Sequence, residues 1–529
     1  MTTSLLAPPQ AYLVGGGIAS LAAAAFLIRD GQLPGAAIHI FEEASLLGGS
    51  LDGAGQADQG YVLRGGRMLN FTYYCSYDLL ASIPSLDHPG QSVYDDITQF
   101  NQRIKTSAQA RLVDRDGHIV DVHSMGFTEA QRLELVGLLA MPELLQGTKR
   151  IDEWFDPEFF TTNFWFMWAT MFAFQPWHSL VEFKRYLLRF LHEFPRIDTL
   201  AGVDRTPYNQ FDSIVLPLQT WLQTQGVDFR LSSRVTDLDF APHPDTKTVE
   251  RIHYTHNQVL TTQAVLPHDV VMMTNGSMTA NATLGSMTTA PTLDISTADG
   301  AWALWKTVAR KYPDFGRPHV FEGRSDEAKW ESFTVTSHSP LLFDLMEQFS
   351  GNKAGTGALV TLKDSSWLLS VVLAYQPHFR HQPADVTVCW GYGLFPDKVG
   401  DFVPKRMSDC TGEEILVELL SHLHLTPHLP AVLAAANCIP CLLPFITSQF
   451  LTRSAGDRPQ VVPAGSTNFA FLGQFTEIPD DVVFTVEYSV RSAQLAVYKL
   501  LKLDKEPPAL YKGQHDVAVL SRAMKTLHR

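Results

Sequence analysis

The apolar positions near the start of the chain change period, and the changes mark the elements. Tyr12-Leu13-Val14 is a short apolar run that stops at Gly15-Gly16-Gly17. An alanine-rich run from Leu21 to Phe26 follows and breaks at Asp30-Gly31. A second apolar run, Ala37 to Phe41, ends in Glu42-Glu43. Strand, glycine turn, helix, strand and acid in this order predict a dinucleotide-binding unit. Gly15 permits a bend that a Cβ opposes. Gly17 lets the backbone approach a pyrophosphate, and the helix beginning near Ala19 directs free N–H groups at that anion. Ser20 fills the third small position of the fingerprint. Glu42, with Glu43 beside it, stands where a carboxylate accepts hydrogen bonds from ribose hydroxyls.

Further along, Gly48-Gly49-Ser50 follows the second strand where flavoproteins wrap cofactor phosphates, and Arg64-Gly65-Gly66-Arg67-Met68 comes soon after. Residues 127–194 have a helical pattern, with helical periodicity over 129–145. Residues 159–174 are aromatic on every face, which predicts a buried helix with one face lining a cavity. Ser179 to Phe194 continues as an amphipathic helix carrying Tyr186 between Arg185 and Arg189. From Asp212 to Gln225 a helix is expected, closed by Gly226, then strands over 227–231 and 235–240. That order is how the middle of a glutathione-reductase-type flavoprotein rejoins its cofactor domain, which makes Val235 a cofactor contact. Val270 to Met273 is another strand, and its turn Thr274-Asn275-Gly276-Ser277 reaches the cofactor. The strand over 468–472 ends at Gly473, followed by Glu477 and by Phe484-Thr485 at the head of a helix over 483–501, the closing arrangement of a flavin site.

The expected fold is therefore α/β: an FAD-binding, Rossmann-like domain of the glutathione-reductase type. It is assembled discontinuously from residues 1–125, 205–290 and 441–529. A helical insertion (126–204) and an α+β substrate-binding domain (291–440) interrupt it. A chain of 529 residues is too long for one core. A net charge of −14 argues against a nucleic-acid partner. No uncharged apolar run reaches the roughly 18 residues that span a bilayer, leaving at most a transient contact with a membrane surface. Met1 to Gln10 lacks the basic start and apolar core of a signal peptide. Five cysteines, Cys75, Cys389, Cys410, Cys438 and Cys441, are too few for a disulfide framework and suit a reducing cytoplasm. Cys438-Ile-Pro-Cys441 is expected to be buried rather than redox-active. His422, His424 and His428 are expected to be solvated, so no metal site is anticipated.

Several stretches together resemble one family. Gly48 to Gly53, Arg64 to Arg67, Phe172-Ala173-Phe174, Trp177-His178-Ser179, Tyr208-Asn209-Gln210-Phe211, Thr274 to Ser277, Gln376-Pro377-His378-Phe379 and Phe484 to Ser489 look like the oleate hydratases, once called myosin-cross-reactive antigens. The likeness runs in order from about Tyr12 to Leu501. It implies an FAD enzyme, working best with reduced flavin, that adds water to the cis-9 double bond of a long-chain free fatty acid without net redox change. It implies a proton donor at Tyr186. The family's water-activating glutamate falls at Met68, which has no acid–base chemistry. Gln376 and His378 match the residues that hold the substrate carboxylate, while the polar residues upstream are replaced by Val372 and Ala374. The family's dimer-forming C-terminal extension has no counterpart before Arg529, which points to a monomer. A flavin-dependent fatty-acid oxidoreductase or isomerase, and a non-catalytic lipid-binding flavoprotein, remain as alternatives.

Overall fold

The computed structural model describes residues 8–243, 245–296, 299–356 and 359–529; most of the Met1–Gln10 stretch lies outside them. Five strands form a wholly parallel sheet: β1 (Ala11–Val14), β2 (Ile38–Phe41), β3 (Asp228–Arg230), β4 (Val270–Thr274) and β5 (Phe469–Leu472). Their spatial order is β5-β4-β1-β2-β3, with Val14 opposite Phe41 and Met273. This is the doubly wound arrangement, in which both faces are covered and strands are apolar throughout. The pleat divides each run between two cores. Leu13, Ile40, Met272 and Leu472 enter one; Val14, Phe41, Met273 and Phe471 enter the other. Helix α1 (Ile18–Arg29) crosses from β1 to β2 and packs on the helix Val486–Leu500, which Thr485 caps by accepting the Tyr488 N–H at 3.1 Å.

A second sheet of seven strands is mostly antiparallel. Within it Trp330–Ser337 lies between Ala436–Leu443 and the central strand Thr387–Gly393. A three-stranded meander, residues 233–264, joins β3 to β4. The hairpin Gly53–Gln56/Gly60–Leu63 leaves the parallel-sheet side and docks on the second sheet. Two buried bonds hold it there: Tyr61 N–H donates to Thr336 Oγ1 at 2.8 Å and Leu63 N–H to Thr334 Oγ1 at 3.0 Å.

The inserted helical segment departs from expectation. Residues 129–145 split at Met141-Pro142 into Glu129–Ala140 and Glu143–Gln146. The aromatic run is not one helix. A 3₁₀ turn, Pro157–Thr161, precedes the helix Asn163–Phe172, because the Thr162 hydroxyl accepts the Trp165 N–H and starts a new helix. Leu180–Arg189 is helical, and residues 191–196 tighten to 3₁₀ around Pro195. All five cysteines are free and buried; Cys438 and Cys441 enter cores on opposite faces of one strand. Of the three histidines, His424 and His428 are exposed, as expected. His422 is not: it is buried with its Nε2 3.3 Å from Asp401 and 3.3 Å from Glu418. Glu418 also accepts the amides of Asp401, Phe402 and Val403, so this cluster fastens a loop. No described helix is long and apolar enough to cross a membrane.

Thr334→Val removes the acceptor for the buried Leu63 amide. The variant is expected to lose about 1–3 kcal/mol of stability in chemical denaturation; an unchanged midpoint would show that the hairpin does not depend on this bond.

Candidate functional site

The first cavity, about 450 Å³, opens at the carboxyl ends of β1, β2 and β4. Gly15 has φ +94° and its N–H donates to the Phe41 carbonyl at 2.8 Å, turning the chain sharply out of β1. Gly16 is closed in: a Cβ there would lie 2.5 Å from Leu47 and 2.9 Å from Glu42. Gly48 N–H donates to the Gly16 carbonyl at 2.9 Å, and a Cβ on Gly49 (φ +56°) would come within 3.2 Å of the Gly17 backbone. Two glycine loops thus form one cradle, with the start of α1 behind it. The cradle suits a dinucleotide pyrophosphate, since backbone amides replace side chains along it.

Of the expected cofactor contacts, Gly15, Gly17, Ala19, Glu42 and Glu43 line this cavity. So do Gly49, Ser50, Val235, Gly276, Ser277 and Gly473. Glu42 does not stand free: its carboxylate accepts the Gly16 amide at 2.6 Å and the Ala44 amide at 2.7 Å. Burial raises its pKa while these amides oppose the rise. Glu43 accepts the Gly300 amide at 2.8 Å and pairs with Arg234 at 3.3 Å. Arg64, paired with Asp52 at 2.9 Å, lines the cavity too, as do Asp299 and Gln474. Burial pushes Asp299 up to about 6. The arginine was visible beside its glycine pair; Asp299 and Gln474 carry no motif and come to the site only through folding.

Nine expected contacts do not line it, and four of these have their side chains engaged elsewhere. Ser20 is buried against the Thr274 hydroxyl, 3.3 Å away. Asn275 turns inward to the Phe475 carbonyl at 2.9 Å. Glu477 is taken up by ion pairs to Arg185 and Arg453, and Thr485 by its capping bond. In each case another part of the fold takes up the polar side chain.

The second cavity, about 100 Å³, lies between the loops 63–68 and one face of the second sheet. Gly66, Arg67, Met68 and Phe484, expected at the cofactor, line this cavity instead. Gly65 lines neither; its carbonyl accepts the Gln210 amide at 2.8 Å. Arg67 spans the partition. Its Nη2 donates to the Ser50 carbonyl at 3.3 Å on the first side, and its guanidinium lies 5.5 Å from the Phe484 ring on the second. Phe484 N–H donates to Gln474 Oε1 at 3.0 Å, a further link between the two. Met171, Trp330, Leu359, Val372 and Trp390 make the walls apolar, and one edge of the aromatic helix, Thr170 and Met171, joins them. No carboxylate lines this cavity among the described residues.

His378 lines the second cavity, and burial with the nearby Arg205 lowers its pKa to about 4, so it is neutral at pH 7. Gln376 does not line it. Its amide donates to the Ala374 and Val388 carbonyls, and its oxygen accepts from Val388 and Gln382. All its bonding capacity goes to shaping the loop. Tyr186 lines none of the three described cavities. It is fully buried, ringed by Phe172, Phe174 and Phe450 at 4.9–5.5 Å, and its hydroxyl donates to the Val483 carbonyl. Tyr186, the expected proton donor, thus stands behind the wall: the residue it bonds, Val483, precedes Phe484, which lines the second cavity. Burial raises its pKa well above that of a free phenol.

A family model described as the MCRA family matches residues 9–498. An oleate hydratase of Streptococcus pyogenes serotype M49 (strain NZ131) is 38% identical over 531 residues, covering 98% of this chain and 90% of that protein. A linoleate hydratase of Lactiplantibacillus plantarum is 34% identical over 558 residues, covering 95% and 97%. Among solved structures, an oxidoreductase from Methanosarcina mazei aligns with a TM-score of 0.50 over 93% of this chain and 100% of that chain. At 10% identity it shares the fold alone.

Gly16→Ala drives a methyl group into Leu47 and Glu42. Dinucleotide binding, measured by equilibrium dialysis with FAD, is expected to weaken at least about tenfold; wild-type affinity would show that the two glycine loops are not the cradle.

Proposed function

The chain belongs to the MCRA family, and from that membership we propose that it is an FAD-dependent fatty-acid hydratase, adding water to the cis-9 double bond of oleate to give 10-hydroxystearate. Family membership and the two hydratases carry the assignment. The observation in this molecule that supports it is the juxtaposition of a glycine-lined dinucleotide cleft and an apolar cavity, separated only by Arg64–Met68 and the Gln474–Phe484 link. FAD would be held by Gly15, Gly17, Gly49, Ser50 and the 276–277 turn. Bound there in its reduced form, it would supply negative charge and a π-face beside the cavity. The free buried cysteines suit the cytoplasm.

The chemistry asks for an acid first. Protonating an isolated alkene builds positive charge on carbon, and the acid must hold its proton until the alkene is in place. A buried, neutral phenol meets the second demand. Tyr186 is the proposed donor, and because its hydroxyl is bonded to Val483, transfer requires the Val483–Phe484 segment to shift and admit the alkene. Phe484 sits at φ +68°, a conformation that a non-glycine residue holds at a cost of roughly 1–3 kcal/mol, so a shift there starts from a strained backbone. Water then attacks the opposite carbon. The resulting protonated alcohol is a strong acid, so the tyrosinate left behind suffices as base. On this account Met68 in place of a carboxylate slows the positioning of water rather than removing an essential base.

A second reading rests on two specific placements: no carboxylate lines the cavity, and Tyr186 stands behind its wall. Both would suit a lipid-binding flavoprotein without turnover. Incubation with reduced FAD and oleate decides between them. The hydratase reading expects a product heavier by one water, abolished in Tyr186→Phe with FAD content unchanged. Bound oleate recovered intact would establish the second reading. Undiminished hydration by Tyr186→Phe would move the acid to a tyrosine already lining the cavity, Tyr375 or Tyr392.

A further inference from the structure

The second cavity contains a positive charge that no described residue neutralises. Arg205 lines it, with its backbone pinned: its N–H donates to Asn101 Oδ1 at 2.9 Å, and Asn101 Nδ2 donates to its carbonyl at 2.8 Å. Its Nε and Nη2 are shielded from solvent and have no hydrogen-bond partner, and no carboxylate among the described residues pairs with it. Desolvation lowers its pKa only to about 10, so the guanidinium is charged at neutral pH. The other arginine on the cavity differs. Arg67 donates to the Gly66 and Ser50 carbonyls and reaches the cofactor side.

Leaving a cation desolvated and unpaired costs several kcal/mol, and folded proteins seldom retain one without a partner. A planar guanidinium with free N–H groups matches a carboxylate in shape and charge. Val372, at the end of the strand Leu369–Val372, and Ala374 just beyond it line the cavity with side chains that donate nothing, while His378, close enough to feel the arginine's charge, is neutral and retains one N–H. We propose that Arg205 is the carboxylate-recognition residue of the second cavity, binding the fatty acid's head group with His378 beside it, while Val372 and Ala374 form an apolar wall for the first methylenes. This deepens the lipid reading of the cavity and rests on it. It makes the protein selective for free acids over their esters.

The test measures binding, not turnover. Oleate and methyl oleate are titrated into the FAD-loaded protein below their aggregation limits, following fluorescence of the wall residues Trp330 and Trp390. Arg205→Met is expected to weaken oleate by about 100-fold and methyl oleate by less than about twofold. Arg205→Lys, which keeps the charge but loses the fork, should weaken oleate by about tenfold. Unchanged oleate affinity in Arg205→Met overturns the assignment. So does equal loss of both ligands in both variants with FAD content intact. Discriminating binding without any hydrated product supports Arg205 and removes the hydratase reading instead.

Discussion

Two buried backbone-to-hydroxyl bonds, from Tyr61 to Thr336 and from Leu63 to Thr334, fix the relation between the halves of this protein. The chain leaves the glycine cradle at Gly49, runs through the hairpin and is clamped to the second sheet before it reaches Arg64 to Met68. A buried amide left without an acceptor is penalised, so the hairpin has little freedom to slide. Its position determines where the partition between the cavities stands. Everything chemical in the site depends on that partition being thin.

Charge is distributed unevenly across it. The nucleotide side holds Glu42, Glu43, Asp52 and Asp299, with Arg64 and Arg234 paired among them. The lipid side holds two guanidinium groups and no carboxylate. Among the described lining residues the formal charges are all positive, which favours an amphiphile with an anionic head. Burial, reinforced by the charge of Arg205, keeps His378 neutral. The proposed acid behind the wall, Tyr186, stays a phenol because burial disfavours its anion.

The parts of this architecture legible in the sequence were those dictated by backbone. Gly15 and Gly49 were legible because a turn at positive φ, and at Gly49 a close approach of two main chains, disfavour other residues. The runs that became β1, β2, β4 and β5 were legible because a doubly covered strand is apolar at most positions, His39 and Thr274 being the exceptions. Side-chain direction was not legible. Gln376 and Asn275 stand in motifs that resemble binding residues, yet tertiary carbonyls captured their amides. Tyr186 lies on the expected helix, but the neighbouring Phe172, Phe174 and Phe450 close over its ring. The aromatic run read as one helix because periodicity cannot register the capping bond of Thr162. Arg205 carried no signal at all; its meaning lies in the absence of a partner, which only a folded structure reveals.

The central claim is that a flavin and a fatty acid occupy adjoining cavities across one shared wall. The most direct measurement is the absorption spectrum of the bound flavin during titration with oleate. A saturable shift, complete at one acid per chain, is the result this account predicts. Saturating oleate that leaves the flavin spectrum unchanged would contradict it, because a ligand in the second cavity must alter the surroundings of Arg67 and Phe484.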